Sequence, residues 1–308
     1  MKIGITGASG FIGSRLARLA ASAGHHVVGF TRNPGRALPD CAETRAFAAG
    51  RALDVGGLDA VVHLAGESVL GLWTRRKRQA IRDSRVLGTR AVVDGIKALA
   101  DKPALVSASA IGYYGDTGDR QTDESHPPGD DFLASVSVDW EAEAARAGEA
   151  GARVAILRIG FVLAPDGGAM SKLKPVFRLG LGGRLGSGRQ WMSLVHVDDV
   201  AGMALWAAQS ESVAQPLNCV LPEPLRNADF TRRVARLLRR PAFFHVPAPL
   251  LRLAAGDLSR LFLASQRIVP ARASAAGYRF AFPAVQDALA DSVGVQDSAG
   301  RRAASREA

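Results

Sequence analysis

A glycine-rich segment near the start of the chain restricts the possible folds more than any other feature. The apolar run from Lys2 to Thr6 predicts a buried strand, and the segment Gly7-Ala8-Ser9-Gly10-Phe11-Ile12-Gly13 follows it at once. Apolar residues then recur at helical spacing from residue 12 to residue 23, before Gly24, and a second short apolar run covers residues 26–30. A glycine-rich turn within such a strand–helix–strand unit is the context in which this motif binds a dinucleotide.

Each glycine of the turn has its own use in that chemistry. Gly7 permits a tight turn, Gly10 lets the backbone approach a pyrophosphate, and Gly13 lets the helix pack closely on the strand. The helix offers free backbone N–H groups and the positive end of its dipole to the phosphates. The residues predicted to contact the cofactor here are Gly7, Ser9, Gly10, Phe11, Ile12 and Gly13.

The residue after the second strand distinguishes the two nicotinamide cofactors. An acidic residue at this place binds the ribose 2′-hydroxyl of NAD, whereas an arginine accommodates the 2′-phosphate of NADP. The sequence has Thr31-Arg32-Asn33 there and no carboxylate before Asp40. Arg32 therefore predicts NADP(H) as the cofactor, and the alternative interpretation is an ordinary surface arginine.

Strands and helices continue to alternate along the chain. Apolar runs at residues 59–66, 104–109 and 151–158 predict parallel strands, and a long helical pattern covers residues 75–99. This alternation predicts the α/β class, with a Rossmann-type, doubly wound parallel sheet that binds ligands at the carboxyl ends of its strands. The further residues predicted to contact the cofactor at those ends are Leu64, Ala65, Gly66 and Ser107.

The composition of the chain restricts the kinds of partner that it is expected to bind. The net charge of +10 comes from 39 basic and 29 acidic residues, but the basic residues are scattered and mostly arginine, which we interpret as compositional bias rather than nucleic-acid binding. No apolar run approaches the roughly 20 residues that a membrane helix needs, and no secretion signal opens the chain. Two distant cysteines and six scattered histidines indicate reduced thiols, no metal site and a cytoplasmic protein. The sequence thus predicts neither a nucleic-acid nor a membrane partner.

Several segments together resemble the extended, or atypical, short-chain dehydrogenase/reductase superfamily. They are Thr6 to Gly13, the strand ending His63-Leu64-Ala65-Gly66, a Ser-x-Ser followed by Tyr113-Tyr114-Gly115, and Val195-His196-Val197-Asp198-Asp199-Val200. Three later segments are similar to the NAD(P)-binding, sugar-epimerase-like branch with a short C-terminal domain. They are Gly182 to Trp191 and the C-terminal runs 266–272 and 276–280. The resemblance spans residues 1–293.

With the chain pattern, the resemblance implies a particular organisation and activity. The cofactor-binding domain is expected to comprise residues 1–164 and 193–222. A smaller substrate lobe is expected to comprise residues 165–192 and 223–293, and a flexible tail is expected at residues 294–308. The implied activity is that of an NADP(H)-dependent oxidoreductase or epimerase on a small polar or nucleotide-linked substrate. A homodimer through the helix at 75–99 is a further expectation.

The expected catalytic pair is missing from the sequence. Typical superfamily members use Tyr-x-x-x-Lys on a helix, but no tyrosine of this chain has a lysine four residues later. If Glu141 matches the acidic residue after the pair, Leu133 and Ser137 stand at the two positions. The predicted substitutes are Ser109 as the substrate-facing serine and Tyr113 or Tyr114 as proton donor. Both rings can instead be core aromatics.

Three residues of the later segments are predicted to contact the substrate, namely Gln190, Trp191 and His196. His196 can alternatively cap a helix beside Asp198, and Trp191 can simply pack between the lobes. Three functions stay open: the oxidoreductase or epimerase, an NADP(H)-binding sensor or partner-binding protein with little turnover, and a nucleic-acid-binding protein.

Overall fold

The computed structural model describes residues 1–35, 37–48 and 50–295, and a seven-stranded parallel sheet forms its centre. Across the sheet the strand order is β12-β7-β5-β4-β1-β2-β3. The strands are β1 (Lys2–Thr6), β2 (His26–Thr31), β3 (Glu43–Ala46), β4 (Ala60–His63), β5 (Ala104–Ala110), β7 (Val154–Ile159) and β12 (Pro216–Cys219). The predicted Rossmann-type sheet is confirmed.

The apolar content of the central strands explains their position. Ile3 and Ile5 of β1 pair with Ala60 and Val62 of β4, and all four side chains are fully buried, as expected for a sheet covered on both faces. The strand predicted at 59–66 is shorter than expected and ends at His63. It stops because the N–H groups of Leu64 and Ala65 both turn to the Thr6 hydroxyl.

Ten α-helices and two 3₁₀ turns surround the sheets within the described residues. The helices are α1 (Phe11–Ser22), α2 (Arg75–Lys97), α3 (Phe132–Glu149), α4 (Met170–Arg178), α5 (Val197–Gln209), α6 (Asn227–Leu238), α7 (Ala248–Ala255), α8 (Arg260–Leu263), α9 (Ala271–Ala275) and α10 (Val285–Val293). The 3₁₀ turns are Ile111–Tyr114 and Gly256–Ser259. The pair α1 and α5 covers one face of the central sheet, and the pair α2 and α3 covers the other.

Short two-stranded sheets extend the molecule beyond the carboxyl edge of the central sheet. Their strands are β6 (Gln121–Thr122), β8 (Phe161–Leu163), β9 (Gly183–Leu185), β10 (Trp191–Met192), β11 (Leu194–His196), β13 (Leu225–Arg226), β14 (Phe244–Val246) and β15 (Arg267–Ile268). A separate hydrophobic core joins α4, α6 and α10. The chain enters this region first after β5, through β6, and again after β7, and it returns through β11 and α5 to place β12 in the central sheet.

None of the helices in the described part of the chain is long and apolar enough to cross a membrane. Apart from residues 294 and 295, the tail expected at 294–308 lies outside the described residues.

Candidate functional site

The turn between β1 and α1 has the backbone geometry that its glycines predict. Gly7 adopts a positive φ of 71°, and its carbonyl accepts a hydrogen bond of 2.8 Å from the Gly10 N–H. A Cβ placed on Gly13 would lie 2.1 Å from the same carbonyl oxygen, so α1 can approach β1 only without a side chain there. The turn at residues 7–13 therefore presents backbone atoms to the space beside it, and we call this turn the cradle.

The first turn of α1 faces this cradle without an internal cap. Gly10 is the N-cap residue, and no side chain of the described chain caps the helix. An uncapped helix start leaves backbone N–H groups to bind an anion. A cavity of about 270 Å³ lies at this end and is lined by Ser9, Gly10, Phe11, Ser14, Arg15, Arg18, Asp166 and Gly167. The side chain of Ile12, a further predicted contact, packs half-buried against the hydrophobic core.

Thr6 organises the other wall of the cradle, a role that the sequence did not predict. Its fully buried hydroxyl accepts the N–H groups of Leu64 (3.1 Å) and Ala65 (3.2 Å) and lies 2.7 Å from Nδ1 of His63. Burial lowers the pKa of His63 to about 4, so this imidazole is neutral near pH 7. The signal available in the sequence was that Thr6, a polar residue, ends an apolar strand directly before a glycine.

Arg32 is exposed directly after β2, at the edge where the predicted cofactor residues Leu64, Ala65 and Gly66 also lie. Its charge acts on Glu67, whose pKa is lowered chiefly by a hydrogen bond from Lys77 and to a lesser extent by Arg32. No acidic residue follows β2 in the position that would bind a ribose 2′-hydroxyl. The cradle and a positive charge thus occupy one edge of the sheet.

A buried polar cluster holds two of the three predicted catalytic residues. Ser109 donates a hydrogen bond of 2.7 Å to Glu141, and Arg158 donates two more to the same carboxylate. Tyr114 accepts from Arg158 and donates to Asn218, and burial raises the pKa of its hydroxyl to about 12. The hydroxyls of Ser109, the predicted substrate-facing serine, and of Tyr114, one of the two predicted proton donors, are thus both hydrogen-bonded inside the protein. Ser107 is likewise fully buried rather than at the sheet edge.

Arg158 is 3% exposed and connects this cluster to Tyr113. Burial alone would lower the pKa of its guanidinium, but the hydrogen bonds and charge of Glu141 raise it overall. The guanidinium carbon lies 3.5 Å from the centre of the Tyr113 ring. Tyr113 is half-buried, and its hydroxyl has no hydrogen-bond partner among the described residues. Tyr113 is thus the one predicted catalytic group whose hydroxyl is not already committed inside the protein.

The predicted substrate residues separate into two groups. Gln190 is buried and donates both amide hydrogens to the carbonyls of Leu185 and Phe262, which makes it a structural link. His196 is 1% exposed, caps α5 through the Asp198 N–H, and pairs with Asp291 at 2.9 Å, so its alternative role as a helix cap fits.

Trp191 alone of the three is partly exposed. Its indole N–H donates to Asp119, and its ring centre lies 4.3 Å from the Arg226 guanidinium and 4.7 Å from that of Arg267. The ring thus lies beside two cations.

Comparison with known proteins agrees with this architecture. The NAD dependent epimerase/dehydratase family matches residues 3–219, which is well over half of the chain. The chain belongs to that family. A second match, to a domain of unknown function (DUF1731), covers residues 246–292 of this epimerase/dehydratase member. The resemblance to the extended short-chain dehydrogenase/reductase superfamily is thereby confirmed.

Relatives of this family member cover nearly the whole chain. The chloroplastic SDR39U1 homolog of Arabidopsis thaliana, an epimerase family protein, is 35% identical over 94% of this chain and 86% of its own length. The crystal structure of human epimerase family protein SDR39U1 (isoform 2) with NADPH superposes with a TM-score of 0.87 at 32% identity, covering 95% of this chain and 99% of that one. A nucleoside-diphosphate sugar epimerase from Corynebacterium glutamicum gives 0.79 at 31% identity, covering 99% and 61%.

Proposed function

We propose that this protein binds NADP(H) in the β1–α1 cradle and acts in the cytoplasm as an oxidoreductase or epimerase on a small polar or nucleotide-linked substrate. The observation that carries the proposal is the cradle itself, with its uncapped helix start and with Arg32 in place of a carboxylate after β2. The NADPH in the human relative's structure supports the choice of cofactor. Both cysteines are free, as in a reducing compartment.

The residues of the cradle fit a dinucleotide. The backbone at Gly10 and Phe11 would meet the pyrophosphate, because α1 presents its N–H groups there with no competing side-chain cap. Arg32 would pair with the 2′-phosphate, and Leu64, Ala65 and Gly66 would pass under the adenosine half. When bound, the nicotinamide supplies hydride transfer.

Proton transfer falls to Tyr113 in this proposal. Its hydroxyl has no hydrogen-bond partner among the described residues, and the Arg158 guanidinium lies 3.5 Å from the centre of its ring. Arg158 cannot shift away, because Glu141 holds it through two hydrogen bonds. The chain thereby places a fixed cation beside a tyrosine without the usual lysine.

A second candidate function is an NADP(H)-binding sensor with little turnover. The observation that favours it is the region of the missing pair, where the Leu133 side chain packs so closely on the 3₁₀ turn that a Cβ on Gly112 would lie 3.3 Å from it. Ser137, at the position of the usual lysine, is buried.

The cofactor is tested by calorimetric titration of the protein with NADPH and with NADH. We expect NADPH to bind at least about tenfold more tightly, a difference of about 1.4 kcal/mol. Arg32→Ala should remove this preference, whereas Arg76→Ala, an exposed arginine on α2, should keep it. Equal affinities for both cofactors in the unmodified protein would contradict the NADP(H) assignment.

Turnover separates the two candidate functions. NADPH oxidation, followed at its absorbance maximum, reports the reduction of carbonyl compounds. Epimerisation leaves the cofactor unchanged, so it is followed by chromatography of nucleotide sugars after incubation with the protein and NADP(H). For a substrate that reacts, Tyr113→Phe should lower kcat by about 10²–10⁴-fold with NADPH affinity unchanged. NADPH binding with neither reduction nor epimerisation of any compound tested would favour the sensor.

A further inference from the structure

Two segments of the C-terminal half carry basic charge without any acidic residue. Residues 167–197 and 230–256 together contain eleven lysines and arginines and no aspartate or glutamate. The chain as a whole has 39 basic and 29 acidic residues, so the separation of charge in these segments is strong. Two of the eleven, Arg232 and Arg233, pair with Asp229 and Glu223 just outside the segments. The other nine form no ion pair with a described residue, so this region favours an anionic partner.

The fold brings the two segments together at one place. β9 and β14 pair in parallel, with Gly183 opposite Phe244, so the residues just before each strand are neighbours. A Cβ on Gly180 would lie 3.6 Å from the Pro241 side chain, and the Arg240 guanidinium donates a hydrogen bond of 3.0 Å to the carbonyl of Arg178. The carboxyl ends of α4 and α6 thus lie side by side.

Four large apolar side chains project into solvent at this junction, and we call them the apolar tip: Leu179, Leu181, Phe243 and Phe244. Their exposed fractions are 75%, 52%, 89% and 52%. Arg178, Arg239 and Arg240 stand around them, all exposed, and none forms an ion pair with a described residue. Large apolar groups grouped on a surface mark an interaction site.

We propose that the apolar tip docks this protein on an anionic phospholipid surface. Leucine and phenylalanine side chains at a protruding point can enter the boundary between headgroups and acyl chains, while the surrounding arginines meet the lipid phosphates. A second copy of this face would place arginines against arginines, which opposes self-association. Bases of single-stranded nucleic acid stack on aromatic rings, but the two leucines offer them no such surface.

This contact requires no membrane-spanning helix and does not depend on the cofactor. It departs from the expectation that the chain has no membrane partner, since that expectation rested on the lack of a long apolar run. The sequence did not predict the apolar tip, because its residues come from two segments that are more than sixty positions apart, as Leu181 and Phe243 are.

Co-sedimentation of the full chain with phospholipid vesicles tests the proposal. We expect binding to vesicles that contain phosphatidylglycerol, little binding to pure phosphatidylcholine, and weaker binding at high sodium chloride. The variant Phe243→Ser/Phe244→Ser should lower the partition coefficient about tenfold or more, since apolar insertion contributes alongside charge. Leu72→Ser, which removes an exposed leucine elsewhere, should leave binding unchanged.

Two double variants distinguish binding through the apolar tip from attraction by the net charge of the protein. Arg239→Glu/Arg240→Glu and Arg75→Glu/Arg76→Glu change the net charge equally, but only the first pair borders the tip. The first pair should abolish binding and the second should retain most of it. Equal losses in both, no binding to phosphatidylglycerol vesicles, or full displacement by a single-stranded oligonucleotide at equal phosphate concentration would each overturn the proposal.

Discussion

Removing the carboxylate of Glu141 tests how the buried polar cluster holds the core together. In the folded chain Glu141 accepts two hydrogen bonds from Arg158 and one from Ser109. Glu141→Ala leaves the 3% exposed guanidinium of Arg158 without its counter-charge. Breaking a buried pair in this way costs about 3–5 kcal/mol, and the orphaned Ser109 hydroxyl adds about 1 kcal/mol. That loss is a large fraction of the roughly 5–15 kcal/mol that stabilises a typical protein.

The assay is equilibrium guanidinium unfolding followed by far-ultraviolet circular dichroism. Glu149→Ala, an exposed position on the same helix, is the matched control and should change the free energy of unfolding by less than about 0.5 kcal/mol. Glu141→Leu/Arg158→Met removes both charges and should lose much less than Glu141→Ala, because no buried charge is left unpaired. A loss below about 1 kcal/mol in Glu141→Ala would refute the reasoning.

Three further predictions concern the core and the cradle. His63 has a pKa of about 4 when folded, against an ordinary 6.5, so the unfolded chain takes up this proton first. Its contribution, up to about 3 kcal/mol, should be present above pH 6.5 and be lost as the pH falls towards 4, and unfolding curves of His63→Gln across that range should lack this slope. Gly13→Ala forces α1 away from the Gly7 carbonyl and should weaken NADPH binding about tenfold in calorimetry, whereas Gly148→Ala in α3 should not. Tyr114→Phe should lower the free energy of unfolding by about 1–3 kcal/mol, because Asn218 and Arg158 lose a buried partner, whereas Tyr113→Phe should leave denaturation unchanged.

Local patterns by themselves determined the fold class and the glycine turn between β1 and α1. The spacing of Gly7, Gly10 and Gly13 between a strand and a helix reports backbone geometry, and that geometry is set by the residues immediately adjacent in the chain. The same holds for the central strands, whose continuous apolar runs require burial on both faces. The missing Tyr-x-x-x-Lys pair is also a local fact, since both positions lie within one turn of helix.

Only the tertiary structure decided which of the polar residues are available for chemistry. Ser109 and Tyr114 stand where a substrate-facing group is expected in the sequence, yet Glu141, Arg158 and Asn218 take up their hydroxyls from three other elements. Gln190 and His196 are turned inward by partners more than seventy residues away, Phe262 and Asp291. A side chain's hydrogen bonds depend on groups that are distant along the chain, whereas a turn depends on its neighbours. For that physical reason the sequence predicted the glycine turn between β1 and α1 but could not distinguish Tyr113 from Tyr114.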